Sequence, residues 1–192
     1  MTEKTPISPN GPAAPLVFRT VSTAAEMRSL GRSLASVLRP GDLVILSGGL
    51  GAGKTTLTQG IGEGLGVRGP ITSPTFVIAR VHPPLGGGVG DRRPALVHAD
   101  AYRLGSALEL DDLDLDTDTE SSVTVVEWGH GLAEGLSADR LEIIITPETV
   151  EASNVADPDD GVADVPRVVR AYAVGERWEG INLPLAGLAD RL

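Results

Sequence analysis

The chain has 192 residues, no cysteine, and a formal net charge of −10 from 26 acidic and 16 basic residues. A chain of this length fits one domain and buries roughly 70% of the surface that it exposes when unfolded. The lack of cysteine excludes disulfides and thiolate metal sites, and the acidic balance excludes a surface that itself grips a nucleic acid backbone, so a partner would have to hold any RNA.

The first fifteen residues differ in composition from the rest of the chain. Residues 1–15 carry four prolines and little apolar surface, which predicts a disordered tail ahead of a single domain over residues 16–192. The tail lacks the basic and apolar regions of a signal peptide, and the longest apolar runs have strand length. We therefore expect a soluble, cytoplasmic protein.

Strands and helices alternate along the predicted domain. A capping box at Thr23 and Glu26 predicts a first helix that ends at Pro40 and Gly41, and a second helix is predicted over 54–65, before Gly66. The predicted strands are 16–20, 43–47, 76–81, 96–99, 123–127, 141–146 and 167–174. This order predicts an α/β domain of the P-loop NTPase type, a three-layer sandwich with a mainly parallel sheet and antiparallel additions.

Three segments between these elements are rich in loop-forming or charged residues. The Pro/Gly-rich segment 82–94 and the acidic segment 147–166 are predicted to be flexible loops. Residues 109–120 carry seven carboxylates with interspersed leucines, which predicts a short exposed helix and loop. This acidic run could dock a basic partner surface or be a solvated face.

A glycine-rich segment between the second strand and the second helix has the spacing of a phosphate-binding loop, Gly, four residues, Gly, Lys, Ser or Thr. Its residues are Gly48, Gly49, Leu50, Gly51, Ala52, Gly53, Lys54 and Thr55. Backbone amides and the helix N-terminus attract phosphate, a lysine reaches the β- and γ-phosphates, and a hydroxyl ligates Mg²⁺. Lys54 is one of only two lysines beside fourteen arginines. The segment predicts binding of ATP and Mg²⁺.

Hydrolysis needs a further carboxylate near the metal and a group that orients water. Asp100 follows the apolar segment 95–99, and Glu127 ends the apolar segment 123–126. Ligand-facing groups of open parallel sheets lie at the carboxyl ends of strands. Both acids are therefore candidates for the metal site, although either could instead be a solvated turn acid.

Four motifs occur together in an order that resembles one family. They are the loop 48–56, Ser73-Pro74-Thr75-Phe76, the segment 98–103 (His-Ala-Asp-Ala-Tyr-Arg) and Glu127-Trp128-Gly129. In type and order they resemble the TsaE family, the ATPase component of bacterial tRNA threonylcarbamoyladenosine synthesis. The resemblance implies an ATPase that is weak alone, acts with TsaB and TsaD subunits, and resets the complex between turnovers.

The resemblance also implies roles for individual residues. Lys54, Thr55 and Thr56 would hold the phosphates and the metal, Asp100 the Mg²⁺ shell, and Glu127 the metal or the attacking water. Thr75 would sense the γ-phosphate, unless its hydroxyl only caps a turn.

Aromatic and basic neighbours of these acids carry less specific expectations. Trp128 would pack near the nucleotide or a partner, unless it is a core residue. His98, Tyr102 and Arg103 could position Asp100 or face a partner, and His98 alone is favoured as a core residue of its strand.

Two other functions stay open at this point, and one is excluded. A P-loop small-molecule kinase would need an acceptor pocket and a basic lid, for which only Arg92-Arg93 offers a cluster. A nucleotide-dependent regulatory binding module with little turnover is opposed only by Asp100 and Glu127. A GTPase would need an Asn-Lys-x-Asp element, which lysines at 4 and 54 alone cannot supply.

Overall fold

The computed structural model describes residues 17–74, 78–86, 93–104, 106, 121–148 and 165–185. Two helices and seven strands lie in these ranges. In chain order they are β1 (Val17–Val21), α1 (Ala24–Ala35), β2 (Leu43–Gly48), α2 (Lys54–Leu65), β3 (Ala79–His82), β4 (Ala95–Asp100), β5 (Ser122–Glu127), β6 (Arg140–Pro147) and β7 (Arg167–Val174). Three short 3-10 segments, Ala101–Arg103, Glu134–Leu136 and Glu176–Trp178, follow β4, β5 and β7.

All seven strands form one sheet in the order β1-β7-β6-β2-β5-β4-β3. The four central strands β6, β2, β5 and β4 are parallel to one another, and β1, β7 and β3 add at the two edges with antiparallel pairing. Strands β2, β4 and β5 are buried along most of their length, as strands covered on both faces are, whereas β6 alternates between buried and partly exposed residues. The predicted α/β fold with a parallel sheet and antiparallel additions is confirmed.

The core lies on both faces of this sheet. On one face, α1 and α2 pack against each other and cover the larger apolar cluster, which includes Leu34, Leu57 and Ile143. On the other face a smaller cluster, including Ile45, Val126 and Ala133, is covered within the described residues by short 3-10 segments and turns. The sheet thus lies between these two coverings, with the two described helices on one side.

Glycines let the two helices approach each other closely. A Cβ added at Gly60 of α2 would lie 2.2 Å from the carbonyl oxygen of Arg28 in α1, and one at Gly31 would lie 2.4 Å from that of Leu57. Real Cβ atoms do not approach backbone so closely, so only glycine fits at these two positions. The close contact fixes α1 against α2, whose N-terminus follows the glycine-rich loop.

The first helix ends earlier than predicted. Thr23 is the N-cap and accepts a hydrogen bond from the Glu26 N–H, while the Glu26 carboxylate accepts from the Ser22 N–H rather than from that of Thr23. The helix α1 stops at Ala35 rather than at Pro40-Gly41. Groups outside the helix satisfy the backbone here: the Asp42 carboxylate accepts from the Arg39 N–H at 2.8 Å, and Arg177 donates to the Val37 carbonyl at 2.8 Å. These partners replace the hydrogen bonds of a longer helix.

The third strand begins later than predicted. It starts at Ala79 rather than at residue 76, because Ile78 has a left-handed φ of 68°, which interrupts an extended backbone. Residues 75–77 lie outside the described residues. The second helix matches its predicted bounds, 54–65, and ends at Gly66, which is also left-handed.

Several predicted segments lie outside the described residues. They are the tail 1–15, the acidic run 109–120, residues 87–92 of the predicted loop 82–94, and residues 149–164 of the predicted loop 147–166. The single domain over 16–192 stays a prediction for the same reason. Neither described helix is long and apolar enough to cross a membrane.

Candidate functional site

The glycine-rich loop connects the central strand β2 to α2. Gly48 has φ 152°, and a Cβ there would lie 2.5 Å from the Ile145 carbonyl oxygen of β6. Gly53 is the left-handed N-cap of α2, with φ 106°. Both conformations favour glycine, and both let the loop turn directly from strand to helix. The first backbone N–H groups of α2 therefore lie at the loop, which makes it a site for an anion such as phosphate.

Lys54 begins α2 with its side chain folded against the loop. Its Nζ donates hydrogen bonds to the carbonyl oxygens of Gly48 at 2.8 Å and Gly49 at 2.9 Å, and lies 3.7 Å from the centroid of the Trp128 ring. Burial lowers the pKa of Lys54, and the nearby carboxylates of Glu127 and Asp100 oppose that shift. The ammonium is thus a desolvated cation directly beside the phosphate-binding loop.

Glu127 is buried at the carboxyl end of β5 and both of its carboxylate oxygens have partners. Thr55 Oγ1 donates to Oε2 at 3.0 Å, and His98 Nε2 lies 2.8 Å from Oε1. Parallel pairing of β4 with β5 brings His98 and Glu127 together. His98 is fully buried on β4, as favoured for a core residue of its strand. Its ring Nε2 contacts Glu127 rather than Asp100.

Asp100 ends β4, directly opposite Glu127 in the register of the two strands. Its Oδ1 accepts from the Tyr102 backbone N–H at 2.9 Å, and its Oδ2 accepts from Ser73 Oγ at 3.2 Å. The residue is 3% exposed. Ser73 therefore holds one of the two predicted site acids. It belongs to the Ser-Pro-Thr-Phe motif, but no role was predicted for it from the sequence.

Trp128 follows Glu127 in a conformation that is uncommon for a bulky residue. Its φ is 60°, its N–H donates to the Leu46 carbonyl at 2.8 Å, and its ring packs on Tyr102 with centroids 5.0 Å apart. The left-handed backbone costs about 1–2 kcal/mol. It turns the half-buried ring over Lys54 instead of into the core.

These side chains line one cleft of about 280 Å³ at the carboxyl edge of the sheet. The lining residues are Leu50, Gly51, Ala52, Gly53, Lys54, Thr55, Thr56, Ser73, Asp100, Glu127 and Trp128. Gly48 and Gly49 contribute through their carbonyl contacts with Lys54. Thr75 lies outside the described residues, so its predicted role stays a prediction.

The oxygen donors of the cleft suit a small, hard cation. The Thr55 hydroxyl and the carboxylates of Asp100 and Glu127 line it together, and no group of three or more metal-ligating His, Cys, Asp or Glu side chains occurs within the described ranges. Mg²⁺ is usually held by one or two carboxylates together with substrate phosphates and waters. The donor set fits that mode of binding.

Sheet, loop and helix together define the class of this protein, a P-loop α/β domain. A sequence model of the family described as "Threonylcarbamoyl adenosine biosynthesis protein TsaE" matches residues 21–155, more than half of the chain. The chain belongs to this TsaE family. The resemblance drawn from the four sequence motifs is confirmed.

Individual relatives agree with the family model. The Streptomyces coelicolor protein named "tRNA threonylcarbamoyladenosine biosynthesis protein TsaE" is 57% identical over 153 residues, which are 79% of this chain and 93% of that protein. The Bacillus subtilis protein of the same name is 35% identical over 165 residues, 85% of this chain and 89% of that protein. The crystal structure of Bacillus subtilis YdiB has a TM-score of 0.62 at 29% identity, covering 88% of this chain and 93% of that chain.

Proposed function

We propose that this chain is a Mg²⁺-dependent ATPase that acts with TsaB and TsaD subunits in the threonylcarbamoylation of tRNA. The observation that carries the proposal is the meeting of Lys54, Thr55, Asp100 and Glu127 in one cleft beside the phosphate-binding loop. Relatives of this chain are named for the biosynthesis of this modified nucleoside. ATP hydrolysis would reset the complex between turnovers, in the cytoplasm.

Each site residue has a role that its position supports. The loop amides and Lys54 bind the β- and γ-phosphates, where the buried ammonium neutralises charge that develops during transfer. Thr55, Asp100 and Glu127 would hold Mg²⁺, which when bound screens the phosphate oxygens. Glu127 either binds this metal or orients the attacking water. Thr75 is proposed to sense the γ-phosphate.

The contacts of Lys54 are an argument that the isolated chain hydrolyses ATP only weakly. Its ammonium bonds two carbonyls of its own loop and lies on the Trp128 ring. Thr55 likewise donates to Glu127. Nucleotide must compete with these internal contacts, and a bound partner that favours the phosphate-facing arrangement would raise turnover.

The charge of the chain supports an indirect relation to tRNA. A net charge of −10 leaves no general attraction to a polyanion. Binding of tRNA is therefore assigned to the partner subunits, and this chain contributes through its nucleotide cycle.

The test is ATP hydrolysis by the purified chain with Mg²⁺, alone and with TsaB and TsaD of the same organism. We expect the partners to stimulate hydrolysis, and Lys54→Ala to lower the stimulated rate by roughly 10²-fold or more, as loss of one preorganised charge donor does. Glu127→Ala should lower turnover more than ATP binding. Glu63→Ala, which removes an exposed carboxylate paired with Arg32, is the matched control and should behave as wild type.

Two results would contradict the proposal. Normal hydrolysis by Lys54→Ala would show that the site is wrongly assigned. Phosphorylation of a small hydroxylated metabolite, with no effect of the partners, would favour a P-loop kinase instead.

A further inference from the structure

His98 lies in the interior of the sheet, yet it makes a polar contact with the site. It is fully buried on the central strand β4, and its Nε2 lies 2.8 Å from Glu127 Oε1. Buried ring nitrogens are normally hydrogen-bonded, and here the partner is a carboxylate of the candidate site. The contact joins a residue outside the cleft to a carboxylate that lines it.

The surroundings of the ring define which nitrogen carries the proton. The facing atom of Glu127 is a carboxylate oxygen, which accepts hydrogen bonds, so Nε2 is the donor. Nδ1 is buried and has no hydrogen-bond partner among the described residues. A neutral ring with its proton on Nδ1 would leave one buried donor unpaired and remove the bond to Glu127, so the Nε2–H tautomer is favoured.

The contact fixes the orientation of the Glu127 carboxylate. The terminal torsion of a glutamate is broad, so a single contact leaves the carboxylate free to rotate. Here His98 holds Oε1 while Oε2 accepts from Thr55 Oγ1 at 3.0 Å. The two contacts keep Oε2 directed at the Thr55 hydroxyl in the first turn of α2.

We propose that His98 is a positioning residue for hydrolysis: its Nε2–H holds Glu127 Oε1 so that Oε2 faces the side of the cleft where Thr55 lies. This inference rests on the proposed ATPase function. His98 itself does not line the cleft. Residues that orient a metal-side ligand in this way typically contribute about 10- to 100-fold to metal affinity or activity.

Substitutions of His98 separate positioning from packing. His98→Leu removes the donor, and we expect it to lower the partner-stimulated kcat by roughly 10- to 100-fold while the KM for ATP changes less than about twofold, because the loop and Lys54 are intact. His98→Gln places an amide N–H near the position of Nε2, and should restore a large part of the lost kcat.

His82 offers a matched control. Like His98, it is a buried histidine with one ring nitrogen, here Nε2, that has no hydrogen-bond partner among the described residues. Unlike His98, it lies on the edge strand β3, and its Nδ1 faces the Arg68 carbonyl. His82→Leu should therefore leave kcat near the wild-type value. An equal fall of kcat in His82→Leu and His98→Leu would overturn the proposal, because it would trace the loss to general destabilisation.

Nuclear magnetic resonance gives a readout that does not depend on activity. Two-bond proton–nitrogen spectra report the tautomer of each of the three histidines, and the His98 signal is assigned by its loss in His98→Leu. We expect an Nε2–H tautomer with a hydrogen-bonded proton signal that moves or disappears in Glu127→Ala. A proton on Nδ1, or a signal indifferent to Glu127→Ala, would overturn the proposal.

The proposed ATPase function and the proposed role of His98 are contradicted by different results. If the wild type hydrolyses ATP with its partners and His98→Leu matches it, only the role of His98 is wrong. If the wild type hydrolyses no ATP under any of these conditions, the proposed function is wrong, and the role of His98 in hydrolysis is wrong with it.

Discussion

Trp128 is one of two non-glycine residues with a positive φ in the described part of the chain, the other being Ile78. Its backbone is left-handed, and its ring contacts a cation on one side and Tyr102 on another. Strain of this kind persists where the surrounding structure over-determines it, often at functional sites. Trp128 therefore couples the position of Lys54 to the aromatic surface at the edge of the cleft.

Trp128 should report nucleotide binding by fluorescence. The chain has two tryptophans, and the other, Trp178, is buried with the Arg177 guanidinium 4.5 Å from its ring centroid. Because the Lys54 ammonium would leave the Trp128 ring as it turns to phosphate, we expect ATP with Mg²⁺ to change the emission. The change should persist in Trp178→Phe and vanish in Trp128→Phe. A signal that instead followed Trp178 would place the nucleotide elsewhere.

At the scale of single residues, local sequence patterns predicted which residues line the candidate cleft. They did not predict how these residues contact one another. Lys54, Thr55, Asp100 and Glu127 follow from a motif and from acids at strand ends. The bond between His98 and Glu127 did not follow, because the two residues lie 29 positions apart and only the order and register of β4 and β5 bring them together.

At the scale of elements, the orientation of α2 depends on its contact with α1. Glycines at both sides of this contact let backbone meet backbone, as shown by the close distances at Gly31 and Gly60. Arg32 and Glu63 add an ion pair of 2.7 Å between the same helices, which is half-exposed and contributes little. The close packing, rather than the ion pair, holds the loop end of α2 in place.

Gly60→Ala should destabilise the protein although alanine is the better helix former. The new Cβ would meet the Arg28 carbonyl, and overpacking of this kind costs about 1–3 kcal/mol, occasionally more. Alanine regains about 0.5–1 kcal/mol of helix propensity. After this gain is subtracted from the cost of overpacking, we expect the free energy of unfolding, measured in urea, to fall by about 1–2 kcal/mol.

Gly135→Ala is the control for this prediction. A Cβ at Gly135 meets no described atom within 4 Å, so the change should stay within about 0.5 kcal/mol. An unaltered or raised stability of Gly60→Ala would show that the two helices can separate without cost.

Element boundaries were predicted well where local signals decide them. The bounds of α2 follow from a glycine loop before it and Gly66 after it. The end of α1 was not predicted correctly, because the connection between α1 and β2 is anchored by a distant side chain. Arg177, which lies 135 positions after Asp42, donates hydrogen bonds to the Asp42 carboxylate. A single sequence does not reveal such distant partners.

At the scale of the whole molecule, one sheet carries the site at its centre and antiparallel strands at its edges. The central strand β2 leads into the phosphate-binding loop, and its neighbour β5 ends in Glu127, while β4 ends in Asp100. Ligand sites of open α/β sheets form at this carboxyl edge. The net charge of the chain is −10, and the proposed nucleotide site lies at this edge.

The number of threonylcarbamoylated tRNA molecules formed per complex shows whether ATP hydrolysis by this chain resets the complex. The measurement uses purified TsaB and TsaD with this chain, excess tRNA, ATP and the threonylcarbamoyl donor. If ATP hydrolysis resets the complex, wild type should give many products per complex, whereas Lys54→Ala and Glu127→Ala should stop after about one. Continued modification by the variants, at the wild-type rate, would contradict the account.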